Sequence, residues 1–517
     1  MKKLICGISA LMASLFLFGA CDFIDNMGSY VNEMISSIEN EINNPYEDIY
    51  SDIFGPGGST TDQTSEVMTN EGKGLPTSES GIYDVDFTKA TYAKNVTELG
   101  YYINGCPTLS TEDTNPAVLV IPVEFSDVTA ESKGYNLTTL NKAFNGVKGE
   151  TDYYSVHEYY YISSYGQLDL DITVLDEWFR PAQTSVWYQQ QTKTISGEKE
   201  TIGDQMIMDE ALAYLSEKMD LTQFDSDGNG SIDAVVMVST LDVDRNDDSL
   251  FHWAYRYWNL YTDEKGNNYE HDEVVARDYV WAPYQFLHQT TDFFGNTKYT
   301  NKNGMNTYAF IHEFGHVLGA DDYYDTAYQK SPLKGYDIMD MTVGDHNAYT
   351  KFNYGWITSS RLVVAEDSVT VTLDAFSQSG DTLLIANNWD EDLGVYQEYY
   401  VIMYYTNDGL NTGMGGYFHR EGILVYHVNA SLLKQIRGFK INYYHAYNNT
   451  SASDPNGYGT EENLIELIDN GWENYVFRVG DYLSPFLKDD ADEKVAYIFT
   501  VDELTDTTAT LTFTKNN

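Results

Sequence analysis

His312 and His316 stand four positions apart in the stretch FIHEFGHVLGADDYYD, residues 310 to 325, with Glu313 beside the first. Residues at that spacing share one face of a helix, so both imidazoles can be directed at a single point. Two neutral imidazoles suit zinc, and Glu313 is placed to reach a water at the metal as general base for attack on a carbonyl. A third protein ligand is required. Gly319 can take a positive φ, end the helix and turn the chain back. Asp322 then occupies the third-ligand position of the arrangement H-E-x-x-H-x-x-G-x-x-H/D. Asp321 and Asp325 compete for that role, and spacing alone favours Asp322. Phe310, Ile311, Phe314, Val317 and Leu318 surround the motif with apolar side chains that would hold the helix in a core.

Two further stretches carry chemistry. GYDIMDMTVGD follows the histidines, and Met339, with Met341 as the alternative, is expected to form a methionine turn beneath the metal. Tyr349 and His346 lie nearby in sequence as candidates to bind an oxyanion, and no spacing separates them. Upstream, FDSDGNGSIDAVV offers Asp225, Asp227, Asn229 and Asp233 around Gly228 and Gly230, with the Ser231 carbonyl within reach. Oxygen ligands at alternate positions of a tight glycine turn are what calcium requires. An EF-hand would need glutamate where Val236 stands, and a strand replaces its second helix. The competing account is an Asx-rich turn without metal. Calcium there would clamp the helix ending near Met219 to the central sheet.

These residues need a scaffold. AVLVIPVEFSD (117–127) is a continuous apolar run expected to be a buried strand. DYYSVHEYYYISSYG suggests a helix, QLDLDITVLDEWF a strand, and residues 202–219 a helix with Met206, Ala211, Leu212, Leu215 and Met219 on one face. AVVMVST is another strand, and strands and helices alternate up to Trp356. Beyond it, SVTVTLDAF, EYYVIMYY, GILVYHV and TATLTFT are all strand-like, so about 360–517 is expected to be a separate all-β domain. The expected class is α+β.

The N-terminus has the pattern of a targeting segment. Lys2 and Lys3 precede LICGISALMASLFLFGAC, whose Gly19 and Ala20 lead into Cys21. This is similar to a bacterial lipoprotein signal, with lipid carried on Cys21 and the rest of the chain held outside the cytoplasm. Phe18 departs from the small or branched residue usual three positions before the cysteine. Cys6 falls inside the signal, which leaves Cys106 as the sole mature thiol and allows no intramolecular disulfide. A small buried residue is the ordinary role for Cys106, and capping zinc in a latent form is the sharper one. From Asp22 to about Pro107 the chain is polar and rich in Gly, Ser, Thr and Pro, which suggests a tether with a pro-segment.

The 517 residues include 79 acidic and 30 basic side chains, a formal charge of −49 that opposes a nucleic-acid partner. The charge suits a secreted, calcium-rich setting. An aromatic content of 15% fits surfaces that hold extended polymers as well as core packing.

HEFGHVLGADDYYD followed by YDIMD and AYTKFNYGW resembles the M6 family of metallopeptidases, the immune inhibitor A type. VLVIPVEFSD, SVHEYYYISSYGQLDL, FHWAYRYW and GILVYHVN resemble the family in the same order, so the likeness spans about residues 117 to 430. It implies a zincin fold and a secreted endopeptidase, with zinc at His312, His316 and Asp322 and Glu313 as base. Asn429 replaces an acidic residue frequent in the family, and DMTVGD replaces its small, Ser/Gly-rich sequence after the methionine. The expected layout is a signal peptide at 1–20, tether and pro-segment at 21–110, a zinc peptidase domain at 111–358 and a β-rich domain at 359–517. Peptide substrates, zinc, calcium, a membrane anchor at Cys21 and a monomeric state complete the expectation. The competing class is an idle surface lipoprotein that binds glycan or protein through the β-domain.

Overall fold

The computed structural model describes residues 64–91 and 115–516, apart from 196–197, 245–249, 264–266, 292–296, 300–304, 326–329, 341–342, 413–419, 438–439, 451–462 and 472–473. Cys21, Cys106 and Met341 lie outside the described residues. The fold is mixed α/β with more strand than helix, arranged in several sheets.

A five-stranded sheet carries the first half. Its order is Asp171–Val174, Ala117–Val123, Ala234–Ser239, Asp278–Pro283 and Tyr255–Trp258, with the first four parallel and the last antiparallel at the edge. Ala117–Val123 is buried at every position, as a strand covered on both faces must be. Leu119, Ile121, Val123, Val235, Met237 and Trp281 meet Ile207, Met208, Ala211, Leu212 and Leu215 of the helix Gly203–Ser216 on one side. Val118, Val120, Val236, Val238 and Val280 face the opposite way, toward Phe310, Ile311, Phe314 and Val317 of the site helix Tyr308–Val317. The expected helix near residue 156 is present as Val156–Ser163. It starts on a serine N-cap in which the Ser155 hydroxyl accepts from Glu158 N at 3.1 Å.

A six-stranded sheet carries the second half, with Glu398–Tyr405 and Gly422–Asn429 as its long central pair. Alternation divides its side chains between two cores. Tyr399, Val401, Met403, Leu424, Tyr426 and Val428 face the core that contains the site helix. Tyr400, Ile402, Tyr404, Ile423 and Val425 face Phe499, Leu511 and Phe513 of a three-stranded antiparallel sheet.

Two features bear on the expected layout. One apolar cluster runs from Val118 through the site helix to Val428, across the boundary expected near residue 359. Residues 64–91 contribute paired strands. Ile82–Asp86 pairs antiparallel with Ser359–Val363 at the edge of the six-stranded sheet, and Thr64–Met68 pairs with Leu432–Arg437. Short, half-exposed strands such as IYDVD bury too little apolar surface to announce themselves in composition.

Candidate metal centre

The site helix, the turn after it and the loop Asp337–Asp340 together position the cluster. His312 and His316 lie on one face of the helix, and their rings stand 5.0 Å apart, edge to face. Gly319 has φ +105°, the left-handed excursion expected of it. Its turn brings the Ala320 carbonyl within 2.7 Å of His316 Nδ1 and carries Asp322 back over the helix. The Ile338 carbonyl lies 3.0 Å from His312 Nδ1. Each Nδ1 therefore donates to a main-chain carbonyl, which leaves each Nε2 directed at Asp322 and able to bind a metal ion on losing its proton.

Both Nε2 atoms face Asp322. His312 Nε2 is 3.1 Å and His316 Nε2 is 3.4 Å from Asp322 Oδ1. The three ligand atoms lie within 4.8 Å of one another. A tetrahedral zinc with bonds of about 2.0–2.1 Å separates its ligand atoms by about 3.3 Å, so the spacing fits that ion. Asp322 Oδ1 is buried without a hydrogen-bond partner among the described residues, a costly arrangement unless a cation satisfies it.

The same geometry separates the competing aspartates. Asp321 is exposed, and neither it nor Asp325 joins the cluster. Asp325 is buried, and its main-chain N–H donates to the Lys330 carbonyl at 2.8 Å. Electrostatics follow the packing. Burial disfavours charge on all three groups, but the pairing outweighs it: Asp322 lifts His316 to about 9, and the imidazoles hold Asp322 well below the usual carboxylate range. Burial raises Glu313, which sits beside the first ligand and is itself nearly covered.

Met339 packs against the site helix at Gly315. A Cβ built on Gly315 would come within 2.7 Å of the Met339 sulfur and 3.3 Å of the Tyr160 hydroxyl. Met339 N donates to Asp337 at 2.7 Å, and the Met339 carbonyl accepts from Tyr323 N at 2.9 Å. One loop thus fixes the His312 ring, fills the space under Gly315 and holds the chain next to Asp322. Asp337, Ile338, Tyr160 and Tyr354, whose hydroxyl donates to the Gly315 carbonyl at 2.9 Å, have no sequence signal for these roles, because backbone contacts carry no residue signature. Tyr324 was likewise unmarked, yet its hydroxyl is raised by burial and then by the adjacent Asp322 charge.

His346 and Tyr349 both point inward. His346 is fully buried among Tyr159, Tyr160, Tyr354 and Trp356, and the Tyr349 hydroxyl meets His445 Nε2 at 2.6 Å. Tyr349 is spent on joining the two halves of the chain.

In the acidic loop, Asp225, Asp227 and Asp233 bring carboxylate oxygens together. Gly228 and Gly230 take φ of +72° and +81°, and Asp225 accepts from Asn229 N and Gly230 N, both at 2.9 Å. Asn229 Oδ1 accepts from Ser231 N at 2.9 Å, and the Ser231 hydroxyl accepts from Arg277 Nε at 2.6 Å. The carboxylates therefore converge, while the Asn229 side chain is bonded within the loop and the Ser231 hydroxyl meets Arg277 outside it. Asp233 also accepts from Ala117 N at 2.7 Å, which ties the loop to the start of a central strand.

No family model matches the chain, and no curated protein matches it.

Proposed function

We propose that the protein is a zinc-dependent endopeptidase of the M6 type. The observation that carries this reading is the convergence of His312 Nε2, His316 Nε2 and Asp322 Oδ1 at 3.1 and 3.4 Å, with both Nδ1 atoms already engaged. Zinc held by these residues would supply Lewis-acid polarisation of a substrate carbonyl and acidify water beside it. Glu313 accepts the proton from the attacking water and delivers it to the departing amine, a role suited to a carboxylate whose pKa burial has raised. The edge strand Tyr255–Trp258 packs by the site helix, and the Arg256 main chain lies against Glu313.

The proposal includes an extracytoplasmic chain anchored by lipid at Cys21, and calcium at the Asp225, Asp227 and Asp233 loop. Glu313→Gln tests the mechanism. The variant should bind as much zinc as the natural protein and hydrolyse unfolded casein about 10²–10⁴-fold more slowly. Equal rates would remove Glu313 from the chemistry. Tyr482 and Phe486, 61% and 80% exposed, favour a binding surface on the β-rich half, which in this reading serves substrate or cell-surface capture. Full zinc occupancy without cleavage of any peptide in a broad library would make that binding role the whole function.

A further inference from the structure

A second histidine and carboxylate cluster lies on the far face of the six-stranded sheet, on strands unrelated to the site helix. Register assembles it. Glu398 pairs with Asn429, Tyr400 with His427, and His427 with Glu466. Alternation then puts Glu398, His427, Asn429 and Glu466 on one face. Asp490 arrives from a loop whose main-chain N–H donates to Glu398 at 2.9 Å, and the Asn429 amide donates to its carboxylate.

We propose that Glu398, His427 and Asp490 form a second site for a divalent transition-metal ion. His427 Nε2 is 2.9 Å from Glu398 Oε1 and 3.9 Å from Asp490 Oδ1, and the three ligand atoms lie within 4.8 Å of one another. His427 is only 7% exposed. Its other nitrogen faces the Glu466 carboxylate at 3.9 Å, beyond hydrogen-bond distance but near enough to add to the negative charge around the ring. Tyr400 stacks on the ring at 4.8 Å and fixes its plane. Three carboxylates around one buried imidazole leave a negative surplus that a divalent ion neutralises. An imidazole nitrogen with two carboxylate oxygens suits zinc or manganese, whereas calcium takes oxygen alone.

A cavity of about 360 Å³ opens beside the cluster, lined by Asn70, Asn387, Asn388, Glu398, Tyr400 and Asp489 among others. Glu398 belongs to both. The cavity provides the route by which an ion enters and the room for water to complete its coordination.

The test is a zinc titration of the full chain, stripped of metal and kept in millimolar calcium so that the acidic loop is occupied. Two tight equivalents of zinc are expected. His427→Gln should lose one and keep peptidase activity, His316→Gln should lose the other, and the double variant should lose both. Glu398→Gln serves as a second probe, with near-ultraviolet circular dichroism showing that each variant is folded. A folded His427→Gln protein that binds as much zinc as the natural chain would overturn the proposal, because the cluster would then be an ion pair only. A single equivalent in the natural chain, lost in His316→Gln, would overturn it as well and leave the first site standing.

Discussion

Gly315, between the two histidines of HEFGH, has no room for a side chain. A methyl group there presses on the sulfur of Met339, which is fully buried and follows Ile338, whose carbonyl meets His312 Nδ1. Gly315→Ala should cost about 1–3 kcal/mol by overpacking and weaken zinc binding together. Denaturant midpoints and a zinc titration check both, and adding Met339→Ala should return part of each. Among the aspartates, Asp322→Asn should weaken zinc by more than the roughly 10–100-fold that an outer-shell loss costs. Asp321→Asn should leave it unchanged. Asp340 gives a pH dependence. Burial lifts its carboxyl from 3.8 to about 8, despite bonds from Ser331 and Gly335 N. The folded chain therefore retains a proton that the unfolded chain releases. That stability is complete below about 4 and lost as pH rises through about 8. Asp340→Asn should thus flatten the fall in Tm between about pH 5 and pH 8. The convergence of His312, His316 and Asp322 was legible here because helical periodicity fixes which residues share a face; the carbonyls that meet the two imidazoles were not, because any residue supplies a carbonyl.

At the level of elements, what was legible depended on burial. AVLVIPV and AVVMVS lie in a sheet covered on both faces, so their whole length is apolar and declares the strand. Thr64–Met68 and Ile82–Asp86 lie at sheet edges and read as linker. The cluster at His427 was invisible for another reason: Glu398, His427 and Asp490 are distant in sequence, and strand register together with the loop that carries Asp490 brings them together. The acidic loop was legible as a glycine turn with oxygen ligands, but its tie to the sheet was not. Asp233 holds both Ser226 N and Ala117 N, so the loop closes on the first residue of a central strand. Asp233→Ala leaves the buried Ala117 N–H without its acceptor, a loss of about 1–3 kcal/mol. Calcium should raise Tm in the natural protein and fail to do so in that variant, which a thermal melt with and without chelator measures.

Across the whole molecule, the two halves share one interior. The Tyr349 hydroxyl meets His445, Asn449 donates to the Tyr323 carbonyl at 3.0 Å, Leu467 N donates to the Pro332 carbonyl at 3.0 Å, and Tyr154 donates to the Gly409 carbonyl at 3.0 Å. These ties surround the segment that follows the zinc motif, so the β-rich half forms one wall of the site region. Composition suggested two domains because the class of element changes near residue 359, but a change of element type does not require a change of core. A chain ending at residue 358 would expose Leu362-facing apolar surface of the site helix core, and it should be insoluble or lack fixed tertiary structure. The intact chain should unfold in one calorimetric transition, with both halves lost together. The N-terminal strands allow a finer test of the same idea. Asn70 donates to the carbonyls of Asn388 and Glu398 and to the Gln397 side chain, while Ile82–Asp86 covers the edge at Ser359–Val363. A chain that begins at residue 92 should melt several degrees below one that begins at residue 64. Equal melting of the two would mean that residues 64–91 add nothing to the fold; a difference would place any maturation cleavage compatible with the folded state before residue 64, or require the cut segment to remain bound.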